Sequence, residues 1–235
     1  MNLVDYAVLG VILISLLFGL YKGFIRSVLA LLGLFASMWA AYVFAPRVVT
    51  WISGNETLLS TLMYYSDASL RMTDMRTAQT LVAGLSQPEI VSIVAQANLP
   101  APFDILLESN MLGQIYAALP QATVSEYLNQ TVIYVIIHIV SFVAVFFAAY
   151  ALFTIFINLL HYLFRFPTLR RFDILLGGVF GIARGAFLVY ILFSLVPIFM
   201  TVLPFPQLAQ AVEESQFGAM LLKSKVIQTI MQGRL

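Results

Sequence analysis

The sequence predicts an all-α, polytopic membrane protein with four transmembrane helices, and three observations carry that reading. Hydrophobic residues make up 61% of the 235 positions and charged residues only 10%, with a mean hydropathy of +0.95. An ordinary soluble domain carries about 25% charged and about 45–50% apolar residues. A chain of this size cannot hide so much apolar surface from water, so lipid must be the solvent for much of it. Finally, four apolar stretches each reach the roughly 20 residues that cross about 30 Å of hydrocarbon.

The first stretch runs from Leu3 to Tyr21, with Asp5 close enough to its end to reach water. No basic region precedes it and no small-residue cleavage site follows, so it is expected to stay in the mature protein. The second, Ser27 to Ala45, is free of charge and is expected to stop at Pro46-Arg47. The third, Val132 to Phe164, runs 33 residues without a formal charge. At about 50 Å it must tilt or extend past the bilayer on one side. The fourth begins near Ile174 and ends near Phe205, interrupted by Arg184 and Pro197.

Basic residues in short loops set orientation. Lys22 and Arg26 flank the first loop, and Arg165, Arg170 and Arg171 lie between the third and fourth spans. Both loops are expected to face the cytoplasm, with both termini extracytoplasmic. The expected organisation is a first transmembrane hairpin (1–47), an extracytoplasmic helical insertion (48–130), a second hairpin (131–205) and an extracytoplasmic tail (206–235). Within the insertion, Thr57 to Leu85 and Glu89 to Ala97 read as short amphipathic helices. Residues 98–102 read as a turn, and Phe103 to Leu119 as a further helix ended by Pro120. We read the segment as a helical cap on the outer membrane surface; a loosely ordered loop is the alternative.

Small residues recur at helical spacing. Gly177, Gly181 and Gly185 share one face with Asp173 a turn earlier, and Gly19 and Gly23 do the same near the end of the first span. Such stripes let helices approach backbone to backbone where lipid offers no hydrophobic drive. A glycine-lined path is the competing reading. Arg184 lies eleven residues past Asp173, about 16 Å along a helix. A guanidinium at mid-membrane costs at least about 2.5–3.5 kcal/mol, so it tends to be paired or to line a wet cavity. Either Ile174–Ala183 is a re-entrant or interfacial half-helix before a span from Gly185 to Phe205, or one helix runs through with Arg184 facing the bundle interior. The first is preferred because it leaves 21 residues to cross and brings Arg184 near headgroups.

His138 and His161 stand 23 residues apart in the third stretch, about 35 Å on one helix, too far to share a metal. Asn158 is expected to hydrogen-bond a neighbouring helix. The 19 Phe and 11 Tyr fit lipid-facing packing and interface belts. There is no cysteine, which excludes thiol catalysis and zinc–thiolate sites, and the net charge of +1 leaves no footprint for nucleic acid. No nucleophile elbow, phosphate loop, metalloprotease helix or dinucleotide fingerprint occurs, so neither enzyme activity nor a cofactor is expected.

Three motifs together resemble the colicin V production protein (CvpA) family of small bacterial inner-membrane proteins. They are Val4-Asp5-Tyr6-Ala7, then Lys22-Gly23-Phe24-Ile25-Arg26 followed by Leu29, and the run Asp173-Ile174-Leu175-Leu176-Gly177-Gly178-Val179-Phe180-Gly181-Ile182-Ala183-Arg184-Gly185. With the spans, the likeness covers roughly 1–47 and 132–205. It implies a multi-span protein linked to colicin V production or export and to envelope homeostasis, with no catalytic residues to carry over. The leading reading is thus a non-enzymatic membrane factor working through helix packing and partners, with Gly19, Lys22, Gly23, Arg26, Asp173, Gly177, Gly181, Arg184 and Gly185 as candidate residues. Its expected partners are the lipid bilayer and a second copy or other membrane proteins. The alternative is an oligomeric channel or small-solute transporter with a path lined by Arg184, Asp173 and Lys22.

Overall fold

The structure, a computed structural model, describes residues 2–65, 74–99, 103–117, 122–163, 172–202, 210–212 and 214–222. In chain order its helices are α1 (Leu3–Lys22), α2 (Phe24–Ser53), α3 (Glu56–Tyr65), α4 (Met75–Gln79), α5 (Gln87–Ala97), α6 (Phe103–Leu112), α7 (Val124–Leu163), α8 (Phe172–Phe193), α9 (Val196–Val202) and α10 (Gln216–Leu222). Among the described residues there is no strand, only one isolated bridge between Leu81 and Thr123. Among the described residues, four helical segments are long and apolar enough to cross a membrane: Leu3–Lys22, Phe24–Ser53, Val124–Leu159 and Asp173–Met200.

The chain forms two compact units. The first comprises Met1–Val48, Val140–Leu195 and Gln210–Leu221, and the second Val49–Ile139, Val196–Ala209 and Leu222–Leu235. In the first unit the usual sidedness of a soluble core is reversed. The buried residues of α1 are Asp5, Val8, Ser15 and Gly19, while Leu13, Ile14, Leu17 and Phe18 are exposed. The buried face of α2 is Ser27, Gly33, Leu34, Ser37, Ala41 and Ala45, with Phe35 and Trp39 outside. Leu152 on α7 and Leu175 on α8 are 69% and 68% exposed. Small and polar side chains turned inward beneath an apolar surface are what hydrocarbon as a solvent selects. This is a membrane protein.

Two boundaries differ from the sequence-based expectation. Pro46 does not end the second span, because α2 continues through it to Ser53. A proline removes one backbone hydrogen bond and bends a helix, which the remaining bonds of a long apolar helix tolerate. Nor is Ile174–Ala183 a separate half-helix: α8 is unbroken from Phe172 through Arg184 to Phe193. The break comes later, at Ser194-Leu195, where Ser194 and Leu195 donate to Ile191 and Leu192 and the Ser194 hydroxyl bonds the Ile191 carbonyl at 2.6 Å. Pro197 in the next turn has no N–H to continue the ladder, and its ring would crowd the Phe193 carbonyl.

The second unit is built on the first part of α7, where Val124, Tyr127, Leu128 and Val132 are buried. Around it lie buried Ile90, Val94, Phe103, Leu107 and Met111 from α5 and α6. Thr57–Leu85 is not one amphipathic helix but α3, α4 and a short 3-10 turn at Val82–Gly84, with Leu70 outside the described residues. The 3-10 turn is tied to the α7 entrance by Val82 N–H to Ala122 O and Val124 N–H to Thr80 O, both 3.0 Å. Helix α6 ends at Leu112 and passes into turns rather than reaching Leu119, and Pro120 lies outside the described residues. The Asn110 amide donates to the buried Thr131 hydroxyl at 2.9 Å, joining α6 to α7.

Helix α5 starts with a capping box, in which Ser86 N–H and Oγ both approach the Glu89 carboxylate, at 2.7 and 2.5 Å. Those bonds hold the Glu89 carboxyl below its ordinary value, the Ser86 hydroxyl contributing most. A carboxylate depressed in the folded state stabilises it above the ordinary glutamate pKa, and the contribution fades as pH falls through the lowered folded value. Acidification is therefore expected to loosen the first turn of α5. Amide exchange at Ile90 and Val91, corrected for intrinsic rate, should rise from pH 7 to pH 3, and Glu89→Gln should flatten that dependence.

Candidate functional site

The motif residues meet where α1 and α8 cross antiparallel in the first unit. A side-chain carbon at Gly181 would lie 2.6 Å from Ser15 O and 3.1 Å from Gly19 Cα, and one at Gly185 would lie 3.0 Å from Ile12 Cα. At Gly177 it would fall 2.5 Å from Gly19 O, and at Gly19 it would run into the Gly177 carbonyl. Each step of four down α1 is thus matched by a step of four up α8, the register that periodic glycines permit. Ser15, which sequence reasoning passed over, sits 4% exposed in this seam and donates to Gly181 O at 2.7 Å. Ser27 on α2 is also buried and donates to Gly19 O at 3.4 Å. Both lie at small-residue spacing, a signal visible in sequence once serine is counted with glycine.

At one end of the seam, Asp173 accepts the Phe24 backbone N–H at 2.8 Å. That N–H belongs to the first turn of α2, so Asp173 caps α2 from a helix 149 residues away. Gly23, between α1 and α2, has φ +80° and ψ 177°, a conformation open essentially to glycine alone. A side-chain carbon there would collide with the Asp173 carboxylate. Aromatic edges extend the contact: Phe24 meets Phe180, and Phe35 meets Phe187, at ring centroids of 5.4 and 5.3 Å.

The opposite end is closed by Asp5. It does not reach water, as its place near the helix end had suggested, but is 0% exposed. Its carboxylate accepts Asn2 N–H at 3.0 Å, Ser215 O–H at 2.6 Å and Phe217 N–H at 3.4 Å, the last from the start of α10. The Asn2 side-chain amide donates to Ala211 O. The two ends of the described chain therefore meet.

Arg184 is half-buried, and its Nε donates to Ser15 Oγ at 3.0 Å. It lines a small cleft with Lys22, Arg26, Tyr150, Thr154 and Asn158, among others. Asp173 is not among the lining residues, being held at the hairpin turn, so the three residues suggested for a solute path are not all gathered in this cleft. Asn158 lines this cleft on α7. His138 bonds the Tyr134 carbonyl through Nδ1 at 2.8 Å and packs against the Tyr134 ring at a tilt, while the side chain of His161 lies outside the described residues. Among the described residues, no group of three or more His, Cys, Asp or Glu side chains could hold a metal ion.

The model of the family described as colicin V production protein matches residues 4–95 and 107–226. The chain belongs to the colicin V production protein family. The match takes in most of the 48–130 segment, which the membrane motifs alone left outside the resemblance. No curated protein and no solved structure shows a significant match. Membership makes this a colicin V production-related membrane protein, and the geometry gives the family-like motifs a structural content. Asp5 holds the end of α1 to α10, Gly23 and Asp173 form the α1–α2 turn, and the glycines seat α8 on α1.

Proposed function

We propose that this colicin V production family protein is a non-enzymatic, multi-pass protein of the bacterial cytoplasmic membrane. It supports colicin V-type production or export and envelope homeostasis through helix packing and contacts with other membrane proteins. The carrying observation is the use made of the motif residues. Asp5, Gly19, Gly23, Asp173, Gly177, Gly181 and Gly185 are all spent on holding helices together. The glycine face is occupied by α1 of the same chain, so contacts with partners fall to the exposed apolar faces of α2 and α7. In a strain lacking the protein, colicin V secretion and detergent tolerance are expected to fall and to be restored by the wild-type chain. Failure of the wild-type chain to restore either would sink this reading.

The proposed orientation places Lys22, Arg26 and the 164–171 connection in the cytoplasm, with the 48–130 segment and both ends of the chain outside. The meeting of Asn2 with Ala211 supports an even number of crossings, because both ends then lie on one side. Reporter fusions after Arg171 and within 75–117 should report opposite sides. Reports from the same side would overturn the map.

A further inference from the structure

We infer that the cleft between α2, α7 and α8 binds a phosphate-type oxyanion. The cleft, of about 60 Å³, is lined by three cationic side chains, Lys22, Arg26 and Arg184, with Tyr150, Thr154 and Asn158 among the other residues, and by no acidic side chain among the described residues. Neither Lys22 nor Arg26 has a hydrogen-bond or ion-pair partner among the described residues, and Lys22 rests only near the Phe18 ring, at 5.7 Å. Asp173 accepts the Phe24 N–H at the α1–α2 turn and forms no ion pair with these cations among the described residues. Of the five N–H donors of Arg184, Nε alone is engaged among the described residues, by Ser15.

Three like charges around one cleft repel one another; Lys22 and Arg26 are exposed and Arg184 is half-buried, and no acidic side chain among the described lining residues offsets them. An anion supplied from outside completes the arrangement. Arginine offers forked N–H pairs that match phosphate oxygens, lysine adds a mobile point charge, and the Thr154 and Tyr150 hydroxyls and Asn158 amide supply neutral donors. The shared chemistry is a phosphate group, whether on the headgroup of an anionic phospholipid or free in solution. The inference is independent of any role in secretion.

The test uses the full-length protein in neutral detergent, observed by native mass spectrometry with added phosphatidylglycerol or phosphatidylcholine, and by thermal unfolding with inorganic phosphate. Retention of phosphatidylglycerol over phosphatidylcholine, unaffected by millimolar phosphate, identifies a lipid headgroup. A rise in Tm with phosphate, together with displacement of phosphatidylglycerol, identifies free phosphate. In either case the Lys22→Gln/Arg26→Gln variant should lose about tenfold or more in binding. The exchanged-cation variant Lys22→Arg/Arg26→Lys should retain it, which separates loss of charge from loss of fold. Equal retention of the two lipids with no response to phosphate overturns the inference, as does undiminished binding by the glutamine variant.

Discussion

Gly181→Leu is expected to remove monodisperse protein from detergent extracts of membranes. The new Cβ alone would sit 2.6 Å from Ser15 O and 3.2 Å from Leu16 Cα, both backbone atoms that cannot swing aside. Overpacking a tight core costs about 1–3 kcal/mol and sometimes more. Here the remaining leucine carbons must also part α1 from α8, which takes the Arg184–Ser15 bond and the Ser15–Gly181 bond with them. Gly181→Ala should be intermediate. Gly10→Leu is the control, since nothing lies within 4 Å of a Cβ at that position. Fluorescence-detected size exclusion of tagged variants reads the series directly. A Gly181→Leu profile like that of wild type would mean that α1 and α8 do not pack as described.

The second large effect is expected at the hairpin turn. Gly23→Ala forces a side chain into φ +80°, ψ 177°, at about 1–3 kcal/mol for the backbone alone. It also drives that carbon into the Asp173 carboxylate. Asp173→Ala should cost about 1 kcal/mol, the usual loss on removing a helix cap. The two changes share one contact, so they should not add. The double variant Gly23→Ala/Asp173→Ala is expected to be less destabilised than the sum of the singles, because the carboxylate no longer blocks the new methyl group. Thermal unfolding of the four proteins measures the coupling. Strict additivity would place Asp173 away from the turn.

These two sites also show how much could be read without coordinates. The glycine stripe on α8 was legible because residues four apart share a helix face whatever that face meets. The approach of α1 to it was not, since a small-residue face serves equally to pair two copies of a chain. Asp5 and Asp173 were visible as motif residues, but their bonding partners, Ser215 and Phe24 N–H, stand 210 and 149 positions away. Nothing local points to either. Pro46 and Arg184 misled for a related reason. Each reads as a break when its own helix is considered alone, and each is accommodated inside an unbroken one.

What the amino-acid order determined by itself was the solvent and the rods. Composition makes lipid the medium, and spacing tells which side of each rod is small. Those are properties of single segments, set by transfer free energy and by 3.6 residues per turn. Which rods touch, and which carboxylate closes which turn, was decided only in the tertiary structure. Such contacts depend on the simultaneous placement of segments far apart in the chain. An aspartate can accept a hydrogen bond from any unpaired N–H that the fold brings within reach.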